Sequence, residues 1–245
     1  MIPHTYLDHG ITILQTKLQT TGTRPGESIK SPVKPFLTIS REACAGATAM
    51  VQHLLPLLDA EGGADGASWM FLEKDLLTHA LSTGDLPKHF ASYLPEDRLP
   101  EIKGLIGEFV GLHPPLWELE QRVSRGIHQI AQLGCVIFSG RAAHLISRDL
   151  PGGLHLRLVA SLATRIKRMQ EQQNSDEVTA ERTLREADDA RRRYVHSNFE
   201  RDIDDPRTYD LIINTDRISP ATAAQMVLQG LHQRIRVPVA NNHTD

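Results

Sequence analysis

The sequence predicts a three-layer α/β/α domain built on a mostly parallel sheet. Three observations carry this. Short runs of apolar and β-branched residues alternate with amphipathic segments along most of the chain, the pattern of a parallel sheet covered by helices on both faces. The chain has 245 residues, which suits one α/β domain with at most a small insertion. Hydrophobic residues make up 40% of it, enough for a sizeable core.

Residues 1–33 read as a polar N-terminal extension, with "TTGTRPGESIKSP" rich in turn formers. The main domain spans 34–236, and 237–245 form a C-terminal tail. "PFLTIS" (35–40) is a buried strand, and a helix follows from about Gly46 to Ala60 with Met50, Val51, Leu54, Leu55, Leu57 and Leu58 on its apolar side. Pro56 is expected to bend or shorten it. "EGGADGAS" (61–68) is a turn, "WMFL" (69–72) a short strand, and "EKDLLTHAL" (73–81) helical. Residues 82–116 are irregular, with helical pieces around 96–112. An amphipathic helix covers 116–134 and ends at Gly134, a C-cap residue. "CVIFSG" (135–140) is a core strand, and "RAAHLISRDL" starts a helix directly from Gly140. "LHLRLVA" (154–160) alternates and is a third core strand. Ser161 caps the helix 161–173. Residues 176–199 form a long charged helix or helix pair, "YDLIINT" (209–215) the last strand, and 219–235 a closing helix with Ser219 as N-cap and Pro220 at N1.

Charge is nearly balanced, with 27 basic and 30 acidic residues and a net charge of −3. Such a chain has no field that would draw it to nucleic acid. No apolar run reaches the roughly 20 residues needed to span a bilayer, and the N-terminus lacks a signal-peptide pattern. The expectation is a cytoplasmic protein. Cys44 and Cys135 stand apart, outside any CxxC pair or zinc spacing. The twelve histidines show no metal-ligand spacing. His144 and His155 read as satisfied polar residues, and Trp69 and Trp117 as core.

Ligands of open parallel sheets bind at the carboxyl ends of the strands. The first such loop is Arg41-Glu42-Ala43-Cys44-Ala45-Gly46-Ala47-Thr48. Against the phosphate-loop pattern G-x-x-x-x-G-K-[ST], Gly46 and Thr48 fit, whereas Arg41 replaces the first glycine and Ala47 the lysine. Backbone amides at a helix N-terminus hold phosphate without that lysine, and small side chains from Ala43 to Ala47 permit a close approach. An ordinary strand-to-helix turn packed with small residues meets the same description.

Arginines are dense further on. Arg165 and Arg168 lie three apart and share a helix face, while Arg191, Arg192 and Arg193 fan around theirs. Guanidinium forks bind phosphate oxygens in pairs. Asp188 and Asp189 are spaced to pair with these arginines locally. Asp205 and Pro206 read as a structural turn.

Five segments resemble, in order and spacing, those of the cytidylate kinase-like family: "TISREACAGATAM" (38–50), "FLEKDLL" (71–77), "VIFSGRAAHLI" (136–146), "HLRLVASLATRIKRM" (155–169) and "DDARRRYVHSNFERDIDDPRTYDLIINTDRIS" (188–219). The resemblance implies a P-loop kinase-like fold with a helical lid over about 165–200. It implies transfer of the ATP γ-phosphate to a nucleoside monophosphate such as CMP or dCMP. ATP would rest on Arg41 and Cys44 to Thr48, with Mg²⁺ at the Thr48 hydroxyl. Arg165 and Arg191 or Arg192 would clamp phosphates as catalytic residues. Gly140, Arg141 and Glu73, with Asp75 beside it, would bind the acceptor. Where related kinases carry an aspartate after the arginine, this chain has Ala142. The Asn214–Asp216 strand end would approach the adenine. Two alternatives stay open: a nucleotide-binding protein impaired in catalysis by loss of the lysine, and a P-loop kinase for another small metabolite.

Overall fold

The computed structural model describes residues 33–61, 69–73 and 116–236, the side chains of 116–122 and 235–236 aside. Five strands form one sheet: β1 (Phe36–Arg41), β2 (Met70–Glu73), β3 (Val136–Ser139), β4 (Gly153–Val159) and β5 (Leu211–Asn214). Their order is β2-β3-β1-β4-β5, and every adjacent pair is parallel. The helices are α1 (Ala47–Glu61), α2 (Leu116–Leu133), α3 (Ala143–Ile146), α4 (Leu162–Gln173), α5 (Glu177–Phe199) and α6 (Pro220–Arg236). Of the expected elements, residues 1–32 of the 1–33 extension, 62–68 of the 61–68 turn, 74–81 of the 73–81 helix, 82–115 of the irregular 82–116 segment and the whole 237–245 tail lie outside the described residues, as do Asp75 and the Trp117 side chain. Among the described residues no helix is long and apolar enough to cross a membrane.

The two sheet faces differ because strand side chains alternate. Leu37 and Ile39 of β1, Leu154, Leu156 and Leu158 of β4 and Ile213 of β5 point to one face, where Val51, Leu54, Leu55, Val227 and Leu231 of α1 and α6 cover them. On the other face Phe36, Met70, Val136 and Phe138 pack on Val123, Ile127 and Ala131, which recur every fourth residue along α2. Toward the carboxyl ends of β1 and β4 this second face turns polar, with Thr38, Ser40, His155 and Arg157 all buried. Trp69 is buried as expected, and no disulfide joins Cys44 and Cys135.

Local signals explain most boundaries. Ser161 Oγ accepts the Thr164 amide and Asp176 accepts that of Thr179, capping α4 and α5. Ser219 Oγ accepts the Thr222 amide ahead of Pro220. Gly134 ends α2 at φ 73°, where an added Cβ would lie 2.3 Å from Lys34 Cβ. Residues 177–199 are one continuous helix rather than a pair. Two expectations need correcting. Pro56 does not shorten α1, which continues to Glu61, because Pro56 is exposed and the buried Leu54, Leu55 and Leu58 hold the helix to the sheet. The segment after Gly140 does not start a helix at once. Gly140, Arg141 and Ala142 have φ of 96°, 53° and 50°, and α3 is a single turn beginning at Ala143. Left-handed backbone costs a non-glycine residue about 1–2 kcal/mol, and such strain collects at functional sites.

Candidate functional site

A cavity of about 320 Å³ opens at the carboxyl ends of β1 and β3. Its floor is Thr38 to Arg41 and its wall Gly140 to His144. α5 covers it with Ala187, Ala190, Arg191, Tyr194 and Val195, one face of the helix at i, i+3 and i+4 spacing. The small residues at 187 and 190 leave the space. Ala142, Val195 and Ile203 pack together and close the far side. Arg41, Arg141 and Arg191 all line the cavity. The Arg141 guanidinium lies 5.4 Å from the centre of the Tyr194 ring, a cation–π contact between two lining residues. Gly140 lines the same wall, and its amide donates to the Ile39 carbonyl at 3.1 Å.

The 41–48 turn lies beside this cavity. Its carbonyls are held from behind: Ala43 O by Arg165 Nη1 at 3.4 Å, Cys44 O by Arg168 Nη1 at 3.3 Å, and Ala45 O by Thr215 Oγ1 at 2.9 Å. In a trans peptide the N–H points opposite to its C=O. The amide of Cys44 therefore faces away from Arg165 and that of Gly46 away from Thr215, while the Ala45 amide, opposite Arg168, donates to Glu42 O at 3.2 Å. Those of Gly46, Ala47 and Thr48 make no hydrogen bond to any described residue, as expected at a helix N-terminus. Gly46 has φ 88°, and Arg168 Nη1 is 3.6 Å from where a Cβ would stand. Thr48 is exposed and Ala47 half-buried. Burial pushes the half-buried Cys44 thiol up, against the opposing pull of Arg165, Arg191 and Arg168.

The predicted residues thus occupy separate places. Arg165 is buried and does not line the cavity. Its Nη1 is 2.5 Å from Asp188 Oδ2, its Nε donates to Ala160 O at 3.1 Å, and Glu42 lies 3.6 Å away. Arg192 is half-exposed and bridges Asp189 and Asp204 at 3.0 and 3.1 Å, and the Asp204 hydrogen bond holds its proton more firmly than usual. Glu73 ends β2, exposed and outside the cavity lining. Asp188 and Asp189 pair with arginines, as their spacing suggests, and Asp205 caps its turn. At the end of β5, Thr215 accepts Arg168 at 2.9 Å, and Asp216 accepts the Ser161 amide at 2.9 Å. Among the described residues no cluster of three or more His, Cys, Asp or Glu side chains is arranged to hold a metal.

Sequence reasoning passed over three residues. Arg157 is buried, bonds Ser40 Oγ at 2.9 Å, pairs with Asp204 and lies 5.7 Å from the Tyr209 ring centre. Glu42 accepts the Ala160 amide at 2.9 Å, joining the ends of β1 and β4. Tyr194 meets Arg141 as described. The available signal was Arg157 itself, a charge inside an otherwise buried strand, which requires a partner. The two histidines also differ from expectation. His155 Nδ1 contacts Thr38 Oγ1 at 2.8 Å, and His144 stacks on Tyr209 at 4.7 Å, yet Nε2 of each is buried without a partner among the described residues. Burial lowers their pKa to about 4 and about 3 respectively.

Comparison with known proteins agrees with the fold and with the family resemblance over residues 71–217. A crystal structure of an uncharacterized protein from Eubacterium ventriosum aligns over 82% of this chain and all of its own, at TM-score 0.60 and 20% identity, a likeness of fold alone. Dephospho-CoA kinase from Campylobacter jejuni aligns over 81% of this chain and 97% of its own at TM-score 0.37 and 12% identity, too loosely to carry an argument. Cytidylate kinase from Methanothrix thermoacetophila is 34% identical over 103 residues, 41% of this chain, which thereby spans 56% of that relative's length. The model of the cytidylate kinase-like family matches residues 71–217, the stretch that carries Arg141, the helices α4 and α5 and the last strand. By that match, the chain belongs to the cytidylate kinase-like family.

Proposed function

We propose that the protein is an ATP-dependent phosphotransferase for nucleoside monophosphates, with CMP or dCMP as acceptor. The observation that carries this reading is the convergence of Arg41, Arg141 and Arg191 on one cavity beside the 41–48 turn. The volume of about 320 Å³ is at the small end of ligand sites. Phosphoryl transfer asks chiefly for positioning and positive charge, and this is what the residues supply. In the reaction an acceptor phosphate oxygen bonds to the γ-phosphorus, and the bond from that phosphorus to the β–γ bridging oxygen breaks.

The turn fits a triphosphate. Its carbonyls are anchored behind, its Gly46, Ala47 and Thr48 amides are unengaged among described residues, and no side chain stands at Gly46. The Thr48 hydroxyl would hold Mg²⁺, which neutralises charge between donor phosphates when bound. Arg41 and Arg191, both in the cavity lining, would meet the transferring group. Arg141 orients the acceptor phosphate. α4 and α5, residues 162–199, act as the lid. The test is product formation from ATP, Mg²⁺ and a panel of monophosphates. CMP or dCMP should be phosphorylated fastest, and Arg141→Ala should raise the acceptor KM at least about tenfold, the loss of a charge-assisted hydrogen bond pair. No turnover on any monophosphate refutes the reading.

A second reading is favoured by Ala47 standing at the lysine position, and by the engagement of Arg165 and Arg168 with loop carbonyls rather than the cavity. Under it the chain binds nucleotide without transferring phosphate. ATP binding by calorimetry, with no product on the same panel, would select it.

A further inference from the structure

One buried carboxylate joins the two halves of this site. Asp188 is 7% exposed and sits on α5. Its Oδ1 accepts both the Ala43 amide at 2.7 Å and Arg191 Nη1 at 2.9 Å, while Oδ2 takes Arg165 Nη1 at 2.5 Å. Arg165 reaches in turn to the Ala43 carbonyl. Ala43 is therefore gripped on its N–H by Asp188 and on its C=O by the partner of Asp188, and packs on Ile166, Met169, Ala180 and Leu184 of the lid helices. Both peptide planes flanking Ala43 are fixed, and with them the direction of the Cys44 amide. The second donor to Oδ1, Arg191, belongs to the cavity lining.

We propose that Asp188 is a positioning residue that couples the two nucleotide sites, so that acceptor binding tightens donor binding. This rests on the phosphotransferase reading above. An acceptor phosphate in the cavity draws the Arg191 guanidinium toward itself. Oδ1 then gives more of its charge to the Ala43 amide, and the turn is held more firmly in the orientation that presents its following amides. Coupling of this kind is reciprocal, so the donor tightens the acceptor by the same factor. Asp189, one residue on, has no such role, since it is half-exposed and bonds Arg192 at the surface.

The test measures the Kd of an ATP analogue with a non-transferable β–γ imido bridge, with and without saturating CMP, on the full chain. Wild type should bind the analogue at least about fivefold more tightly with CMP present, the low end of ordinary coupling. Asp188→Asn keeps an acceptor for the Ala43 amide but loses the charge, and should reduce the ratio below about twofold. It also leaves Arg165 buried without its counter-charge. A double variant, Asp188→Asn with Arg165→Gln, removes both charges, and thermal melting checks that it is folded; the same loss of coupling is expected. A merely structural role would lower the melting temperature and leave the ratio intact. Coupling retained in the variants, or absent from wild type that binds both nucleotides, overturns the inference alone. Wild type that binds neither nucleotide overturns the phosphotransferase reading and this inference with it.

Discussion

Replacing His144 with phenylalanine should flatten the acid sensitivity of the fold. His144 and His155 are both buried on the polar flank of the sheet. His144 is held near pKa 3 by burial first and then by His155, Arg157 and Arg148; His155 is held near 4 by burial, with Asp210 opposing and Arg234 and Arg148 reinforcing. Both stay neutral in the folded protein, whereas in the unfolded chain they take up protons below their ordinary 6.5. The unfolded state thus binds more protons, so stability is full above pH 6.5 and falls as pH drops toward 4. Each group costs about 1.4 kcal/mol per pH unit in this window, or about 2 kcal/mol between pH 6.5 and 5, so the pair costs about 4 kcal/mol. Phenylalanine keeps the stack on Tyr209 and cannot take a proton. Urea unfolding at pH 7 and pH 5 should therefore show wild type losing about 4 kcal/mol and His144→Phe about 2 kcal/mol. Equal losses in the two proteins, or no loss in wild type, would refute the reasoning.

Three further outcomes are expected. Arg165→Ala strips the buried Asp188 of its partner and should cost about 3–5 kcal/mol, lowering Tm by roughly 10 °C in calorimetry; a wild-type Tm would show that the pair is not formed. Gly134→Ala must accept φ 73° and a Cβ 2.3 Å from that of Lys34, which should cost about 2–4 kcal/mol in chemical denaturation. Thr48→Ala, at an exposed site, should leave Tm within about 2 °C, since surface changes stay within about 0.5 kcal/mol, yet raise the Mg²⁺ concentration needed for half-maximal turnover; an unchanged Mg²⁺ profile would remove Thr48 from the metal's ligands.

The order of strands and helices was legible because each depends on a local signal. The alternation in "LHLRLVA", the Ser161 and Ser219 caps and the Gly134 stop all read correctly from neighbours in sequence. The start of the Gly140 helix was not, since nothing local announces that Arg141 and Ala142 adopt left-handed backbone. Nor was the direction of the arginines. Arg165 and Arg168 do share a face, but it meets the back of the 41–48 turn, and only the tertiary approach of Asp188 decides that. Arg41, Arg141 and Arg191 come from a strand, a turn and a helix far apart in the chain and meet only once the sheet is assembled. Arg157 was passed over because its partners Ser40 and Asp204 lie far from it in the chain.

The split character of β4 has a consequence for how the chain finds its alignment. Leu154, Leu156 and Leu158 enter the oily layer, while His155 and Arg157 enter the polar flank. Sliding β4 by one residue against β1 would exchange the two sets, thrusting a guanidinium and an imidazole among leucines and leaving Ser40 and Asp204 facing methyl groups. Misaligned pairings of the central strands are thus penalised twice over, so this strand carries its own proofreading during assembly.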